Sequence, residues 1–328
     1  MKLLIVNQDE VEQLLPMSDC ITVMTDALMA LANGQVHLPL RMVVRPPEAA
    51  GVLALMPAYV SGDNAAFGVK IIGVFNGNPA IGKDSHQGAV LLLSGETGEP
   101  QALMNASAIT AIRTAAVSGV ATRVLARAES GDLAIIGAGV QARSHLAAMA
   151  CVRSIRRVRV VSRNPPHAQE FVRNVRSSYP FPIEAVNTIE AAVRDADLIV
   201  TATSSAEPVL KRDWISQGAH LNVVGASQSF AREVDAATMA ASSLFVDRRE
   251  STVNESGDYL FALRDGAIGP DHIQAEIGEV LIGAKAGRIN PDEITLFKSL
   301  GLAVEDLAAA EYIYRKAQST TAGTWVEF

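Results

Sequence analysis

Three basic residues stand in otherwise apolar segments of the first 115 residues. Arg41 lies within Leu38-Pro-Leu-Arg-Met-Val-Val, Lys70 within Phe67-Gly-Val-Lys-Ile-Ile, and Arg113 opens Arg-Thr-Ala-Ala. A cation in such a run is costly to bury without a partner, so it either reaches solvent or meets an anion. Guanidinium groups suit the bidentate capture of a carboxylate, and a lysine in a dry or cationic site can donate a proton near neutral pH. The residues alone leave a solvated face and an anion-binding cluster both open.

A glycine motif follows an apolar run in the middle of the chain. Gly137-Ala-Gly-Val-Gln-Ala142 comes after the predicted strand Leu133–Ile136 and before a predicted helix. The first glycine permits a tight turn, the second lets a pyrophosphate approach, and the alanine keeps the helix close to the sheet. The helix N-terminus then offers N–H donors to phosphate groups. This pattern predicts dinucleotide binding at Gly137, Gly139, Val140 and Gln141.

The end of the next predicted strand, Val158–Val161, indicates which dinucleotide binds. NAD sites usually carry an acidic residue there for the ribose 2′-hydroxyl, whereas this chain has Ser162, Arg163 and Asn164. Ser162 and Asn164 can donate hydrogen bonds, and Arg163 can stack on adenine while it pairs with a 2′-phosphate. The segment favours NADP(H). NAD(H) remains the alternative if Arg163 is a solvated loop charge.

The segments around these residues alternate in two ways. From Asp132 onward, short aliphatic runs alternate with alanine-rich stretches of helical spacing, which predicts a Rossmann-type, doubly wound α/β domain. The first 110 or so residues instead contain alternating segments separated by turn formers, typical of an α+β region with a mostly antiparallel sheet. An amphipathic helix is predicted over Ser299–Lys316 and could fold onto either part.

Composition limits the class of protein. The chain has 328 residues, of which 49% are hydrophobic and 19% charged, so it has ample material for a core. A net charge of −7 disfavours binding to nucleic acid or to an anionic membrane. The two cysteines form no disulfide framework or metal-ligand cluster, and no apolar run reaches the ~20 residues of a membrane span. We therefore expect a cytoplasmic protein without a metal site.

With these motifs in view, the chain resembles the ornithine cyclodeaminase/mu-crystallin family, and most closely its ketimine-reductase branch. The similar stretches run in order through the sequence: Leu55-Met-Pro-Ala58, Ser85-His-Gln87, Arg113-Thr-Ala-Ala-Val-Ser118, Gly137-Ala-Gly-Val-Gln-Ala142, His220-Leu-Asn-Val-Val-Gly-Ala-Ser227, Glu255-Ser-Gly-Asp258 and Phe297-Lys-Ser-Leu-Gly-Leu-Ala-Val-Glu-Asp306. The resemblance implies a substrate-binding and dimerisation domain of residues 1–115 with 299–328, and a dinucleotide-binding domain of residues 116–298. It also implies a homodimer, and a small 2-imino or 2-amino acid held between the domains.

The resemblance also assigns roles to single residues. It places Arg41, Lys70 and Arg113 at substrate positions, which favours the anion-binding interpretation, with Lys70 as the catalytic proton donor. The further substrate contacts are Met56, His86 and Gln87, although the last two could equally be a structural polar pair. The further cofactor contacts are Arg113, Thr114, Thr203 and Ser227, with helix or loop capping as the alternative role of Thr114 and Ser227.

These assignments predict NAD(P)H-dependent reduction of a cyclic ketimine carboxylate, Δ1-pyrroline-2-carboxylate or Δ1-piperideine-2-carboxylate, to L-proline or L-pipecolate. The cyclodeaminase branch carries a glutamate and an aspartate where this chain has Ala54 and Ser227, and neither replacement can act as a base at neutral pH. Two other hypotheses stay open. One is an ornithine cyclodeaminase or alanine-type dehydrogenase, and the other is a non-catalytic, mu-crystallin-like protein that binds a small ligand.

Overall fold

The structure, a computed structural model, describes residues 2–62 and 65–328. The chain divides into two compact units. The first unit comprises Met1–Thr114 and Gly301–Phe328, and the second comprises Ala115–Leu300. The functional roles expected for the two domains stay predictions.

The described residues form sixteen β-strands and eleven α-helices. The strands are β1 (Lys2–Val6), β2 (Val36–His37), β3 (Met42–Val44), β4 (Val52–Val60), β5 (Ala66–Val74), β6 (His86–Ser94), β7 (Pro100–Asn105), β8 (Asp132–Ile136), β9 (Arg157–Val161), β10 (Ile183–Ala185), β11 (Leu198–Thr201), β12 (His220–Val223), β13 (Ser242–Val246), β14 (Ile273–Glu276), β15 (Ile294–Lys298) and β16 (Thr324–Glu327). The helices are α1 (Gln8–Leu14), α2 (Met17–Ala32), α3 (Ala106–Leu125), α4 (Val140–Val152), α5 (Pro165–Val175), α6 (Ile189–Val193), α7 (Ala236–Ala240), α8 (Arg249–Glu255), α9 (Gly257–Arg264), α10 (Ile277–Leu281) and α11 (Ala303–Gln318).

The first unit is built on a mixed eight-stranded sheet. Its strand order is β16-β1-β7-β6-β5-β4-β2, with β3 also paired to β4, and β1 with β7 is its one parallel pair among the described strands. Successive side chains of a strand point to opposite faces. In β5, Gly68, Lys70 and Ile72 are buried, whereas Phe67 and Ile71, which point to the other face, are exposed. α11 packs on the buried face, where Leu307 approaches Gly68. A side chain at Gly68 would collide with this helix.

The second unit is a parallel eight-stranded sheet with the order β10-β9-β8-β11-β12-β15-β13-β14. The chain runs outward from β8 in one direction through β9 and β10, and in the other through β11 and β12. Strands of this kind are buried on both faces and therefore consist largely of aliphatic residues, as in β8 and β11. The sheet confirms the predicted α/β class with a doubly wound domain. In such folds ligands bind where the strand order reverses, here between β8 and β11.

Several elements of the observed fold, among them the C-terminal helix, differ from the sequence-based expectation. The C-terminal helix begins at Ala303 and not at Ser299. Leu300 donates its backbone N–H to the Asp247 carboxylate at 2.6 Å, and Gly301 adopts φ +78°, so the segment before Ala303 cannot be helical. The sequence analysis also missed β15, a fully buried strand inserted between β12 and β13.

One helix of the described chain, α3, is long and apolar enough to cross a membrane, and 72% of that stretch is buried inside the protein. Core helices of soluble proteins have the same character. α1 and α2 would meet the length criterion only as a pair, and they are bent by 80° relative to each other.

Candidate active site

A row of four buried side chains crosses the inner face of the first unit's sheet. Met56 of β4 pairs with Lys70 of β5, Lys70 with Val90 of β6, and Val90 with Met104 of β7. Directly paired residues in an antiparallel sheet point to the same face. Lys70 is only 2% exposed, so its ammonium group lies among apolar neighbours and needs an anion from another element.

That anion comes from the first turns of α11. The Lys70 Nζ lies 2.7 Å from Oδ2 of Asp306 and also donates to Oγ1 of Thr110 at 3.4 Å. Burial lowers the pKa of Lys70 to about 8, although the charge of Asp306 opposes this shift; the charges of Arg113 and Arg41 act in the same direction as burial. Lys70 can therefore gain and lose a proton near neutral pH, as a proton donor must.

Arg113 meets the same helix. Its Nη1 lies 2.7 Å from Oε2 of Glu305 and its Nε lies 3.0 Å from Oδ1 of Asp306, with all three side chains at most 4% exposed. Its Nη2 makes no hydrogen bond to another of the described residues. Gly301 makes room for this guanidinium group, because a Cβ at Gly301 would lie 2.5 Å from Nη1. Two of the three nitrogen atoms of the fork are thus engaged inside the protein.

Arg41 and His86 complete the surroundings of Lys70. Arg41 donates from Nη2 to the carbonyl of Gly301 at 3.3 Å, which places it beside Arg113. Desolvation and then the charges of Lys70 and Arg113 lower the pKa of His86, which begins β6 on the Lys70 face.

The structure does not bring Gln87 to this group. The strand alternation directs Gln87 to the opposite face of the sheet from His86, and its Nε2 donates to the carbonyl of Asp84 at 3.1 Å. Its expected contact with the substrate has no support from this position.

We call Arg41, Lys70, Arg113, Glu305 and Asp306 the ion-pair cluster. Three cations and two carboxylates leave one net positive charge when all five are ionised, which suits a ligand with a single carboxylate. An ammonium has three donors, and Asp306 and Thr110 accept from Lys70, so one donor remains for a ligand or water. The cluster can therefore hold an acid group and supply a proton.

Glu305 and Asp306 were missed as site residues by the sequence analysis. They are 0% and 1% exposed, respectively, although acidic residues in the first turn of a helix are usually solvated and favourable to the helix dipole. The sequence feature that could have identified them is their apolar context, because they interrupt an otherwise apolar run that ends in Leu307-Ala-Ala-Ala. Two buried acids require cations, and the three basic residues in apolar segments were candidates.

The glycine motif lies at the carboxyl edge of the parallel sheet. Gly137, directly after β8, has φ +121°, and a Cβ there would lie 2.4 Å from the carbonyl oxygen of Ala202. Gly139 caps α4 without a side-chain hydrogen bond, and a Cβ at Gly139 would meet no atom within 4 Å. Val140 is 60% exposed, and Oε1 of Gln141 is buried without a partner among the described residues. Open space before an uncapped helix N-terminus fits a pyrophosphate.

The other residues expected at the cofactor lie in three places. Ser162, Arg163 and Asn164 directly follow β9, with Arg163 and Asn164 exposed. Thr203 follows β11 and Ser227 follows β12, at the same edge of the sheet as Gly137. Thr114 lies on α3 in the first unit and is half-buried. The contacts of all these residues with a cofactor stay predictions.

Comparison with known proteins shows the family. The profile of the ornithine cyclodeaminase/mu-crystallin family matches residues 1–321. A Δ1-pyrroline-2-carboxylate reductase of Bacillus cereus is 35% identical over 327 residues, which are 99% of this chain and 100% of that protein. A Δ1-pyrroline-2-carboxylate reductase of Thermococcus litoralis, solved with NADH and L-proline, superposes with a TM-score of 0.95 at 40% identity and covers 98% of this chain and 99% of its own. An archaeal alanine dehydrogenase dimer with bound NAD has a TM-score of 0.94 and 33% identity and covers both chains fully. These matches confirm the resemblance found in the sequence, and the chain belongs to the ornithine cyclodeaminase/mu-crystallin family.

Proposed function

We propose that the protein is an oxidoreductase that reduces the C=N bond of a small cyclic imine bearing a carboxylate, with a nicotinamide cofactor as the reductant. The substrate class is Δ1-pyrroline-2-carboxylate or Δ1-piperideine-2-carboxylate, and the products are L-proline or L-pipecolate. The observation that carries this proposal is the buried ion-pair cluster, in which Lys70 is held 2.7 Å from Asp306 beside Arg113. Support also comes from the Thermococcus litoralis reductase, which was solved with NADH and L-proline.

Each member of the cluster has a task in this reaction. Arg41 and the Nη2 of Arg113 attract and orient the substrate carboxylate, and the net positive charge of the cluster favours its entry. Lys70 keeps the imine nitrogen protonated, so that the imine carbon is electrophilic and the product leaves as an amine. A bound reduced nicotinamide supplies the hydride that this carbon accepts. Asp306 holds the ammonium of Lys70 in place and favours its charged form.

The dinucleotide is proposed to bind in the second unit, with its pyrophosphate before α4. We favour NADPH over NADH because Arg163 stands, with no acidic residue beside it, where an adenosine ribose would lie. Ser162 and Asn164 would add hydrogen bonds to that ribose. The two solved relatives named above hold NADH and NAD, so NADH is the competing cofactor.

A spectrophotometric panel tests the proposal directly. Each cyclic imine is mixed with the protein and with NADPH or NADH, and loss of absorbance of the reduced cofactor is followed. We expect turnover with at least one imine, and a higher kcat/KM with NADPH than with NADH. Absence of cofactor oxidation with both imines would contradict the proposed reaction. A clear preference for NADH would contradict only the proposed role of Arg163 and would leave the reaction itself intact.

A second enzymatic candidate is an amino-acid dehydrogenase, because the archaeal alanine dehydrogenase is similar over the full length of both chains. The protein would then oxidise a free 2-amino acid and release ammonia. Release of ammonia from L-alanine or L-ornithine with NAD⁺, at a rate above that of imine reduction, would favour this candidate or a cyclodeaminase. If the protein binds ligands but neither reaction occurs, the binding-protein hypothesis is favoured.

We also propose that the protein forms a homodimer through the outer face of the first unit's sheet. Leu53, Phe67, Ile71 and Leu103 lie on this face and are 37–47% exposed. Apolar side chains grouped in this way usually mark an interface, and a second copy of the same face can cover them symmetrically. Sedimentation equilibrium should give twice the chain mass, and Phe67→Glu with Ile71→Glu should shift the protein to monomer. A monomeric wild-type protein would contradict this proposal.

A further inference from the structure

A fully buried carboxylate, Glu233, lies behind two loops at the carboxyl edge of the second unit's sheet. Its Oε1 accepts hydrogen bonds from the backbone N–H and the hydroxyl of Thr203, both at 2.7 Å. Its Oε2 accepts from the hydroxyl of Thr201 at 2.8 Å and from the N–H groups of Gly225 and Ala226 at 2.6 and 3.3 Å. One side chain thus ties the segment after β11 to the segment after β12.

The two loops pack tightly against each other and against this carboxylate. A Cβ at Gly225 would lie 2.2 Å from the carbonyl oxygen of Thr203 and 2.5 Å from Oε1 of Glu233. The loops therefore touch through their backbones, and the glycine is required for the approach. A change in the carboxylate that holds these loops is therefore expected to displace at least one of them.

A second buried ion pair fixes Glu233 itself. Oδ1 of Asp258 accepts the backbone N–H groups of Glu233 and Val234 at 2.7 and 3.1 Å, and Oδ2 of Asp258 lies 2.9 Å from Nζ of Lys298. Lys298 also donates to the carbonyl of Ala226 at 2.5 Å. Burial raises the pKa of Glu233, whereas Lys298 and the hydrogen bonds of Thr203 lower it.

Stability gives little reason for three buried charges at this place. Val234 and Tyr259, the chain neighbours of Glu233 and Asp258, belong to the apolar core of the unit. Buried ion pairs are often no more stabilising than apolar side chains of similar volume. A better explanation is that the Glu233 carboxylate orders the segments that supply its five hydrogen-bond donors. Those segments lie at the edge of the sheet where a dinucleotide would bind.

The position of the two loops selects one half of the dinucleotide. In doubly wound folds the ligand lies across the point where the strand order reverses, here between β8 and β11. The segment after β9 is on the adenosine side of that point, and the segments after β11 and β12 are on the other side. We propose, on the basis of the proposed dinucleotide site, that Glu233 is a positioning residue for the nicotinamide half of the cofactor, which holds the loops of Thr203 and Ser227 in a single arrangement.

The substitution Glu233→Gln tests this role. A glutamine would place an NH₂ group among N–H and hydroxyl donors, so at least one loop must shift. We expect the Kd for NADH or NADPH, measured by fluorescence titration, to rise about tenfold or more. The Kd for ADP-ribose, which has the pyrophosphate but no nicotinamide, should change less than twofold. The difference between the two ligands is the readout that a general loss of structure would not produce.

Two further variants complete the experiment. Asp197→Asn is the matched control, because Asp197 also accepts backbone N–H groups, of Gly131 and Asp132, but at the opposite edge of the sheet. It should leave both Kd values unchanged. Thr201→Val removes one donor to Glu233 from inside β11 and should weaken NADH binding about threefold, which keeps the proposal testable if Glu233→Gln does not fold.

The outcomes separate this inference from the proposed function. Equal losses of affinity for NADH and ADP-ribose in Glu233→Gln, or unchanged affinity for NADH in both Glu233→Gln and Thr201→Val, would overturn the positioning role while leaving the reductase proposal intact. A wild-type protein that binds neither reduced nicotinamide would overturn both.

Discussion

The Lys70→Met variant is expected to reduce cyclic imines with a kcat/KM about 10³-fold below that of the wild-type protein. Methionine keeps the apolar length of the buried side chain but removes the proton donor, and general acid catalysis typically contributes 10²- to 10⁴-fold. The affinity for NADPH should change little, because the glycine motif belongs to the other compact unit. Steady-state kinetics with each imine, together with a cofactor titration of the same preparation, measures both quantities.

The matched control is Lys285→Met, which makes the same change at an exposed lysine of the second unit. It should retain full activity. In Lys70→Met, Asp306 keeps its ion pair with Arg113, so we expect the variant to fold. A thermal melt checks this. A folded Lys70→Met protein with wild-type turnover would remove Lys70 from the mechanism.

Asp306→Asn is expected to shift the basic limb of the kcat/KM profile to lower pH by about one unit. The carboxylate of Asp306 raises the pKa of Lys70 against the effect of burial, which leaves it at about 8. Without that charge the pKa of Lys70 falls further, so a smaller fraction of the ammonium form survives at each pH above neutrality. The variant should be about tenfold less active than the wild-type protein at pH 9 and nearly equal to it at pH 6.

Both proteins must be compared with the same imine, so that ionisation of the substrate cancels. Asp19→Asn is the control, because Asp19 also binds α11, through Tyr312 at 2.5 Å and Lys316 at 3.3 Å, but outside the ion-pair cluster. Its profile should coincide with that of the wild-type protein. A uniform loss of activity in Asp306→Asn, independent of pH, would indicate that Asp306 only supports the fold.

The sequence was most informative where backbone geometry dictates the residue type. Gly137 follows a strand, has a positive φ and lies close to the backbone of Ala202, directly after β11, so both the residue type and its position could be predicted. The class of the second unit was predictable for a related reason, since a parallel sheet buried on both faces requires aliphatic strands such as Leu198–Thr201.

Long-range pairing was much harder to predict. Lys70 and Asp306 are separated by more than two hundred residues, and local patterns alone did not reveal that α11 covers β5. β15 was missed for the same reason, because its place between β12 and β13 depends on sheet order. The prediction for Gln87 did not consider the alternation of side chains along β6, which directs Gln87 and His86 to opposite faces of the sheet. Its contact with a substrate stays a prediction. Charges buried in apolar runs were the useful signal, and they had to be matched with one another across the chain.

A crystal structure with NADPH and pyrrole-2-carboxylate tests most directly whether the ion-pair cluster is the substrate site. This planar molecule has a carboxylate on the carbon next to its ring nitrogen, as the imine does, but its aromatic ring resists hydride addition. We expect its carboxylate within hydrogen-bond distance of Arg41 or Arg113, and its nitrogen close to Lys70. An inhibitor bound elsewhere, with these three side chains untouched, would contradict the proposed mechanism.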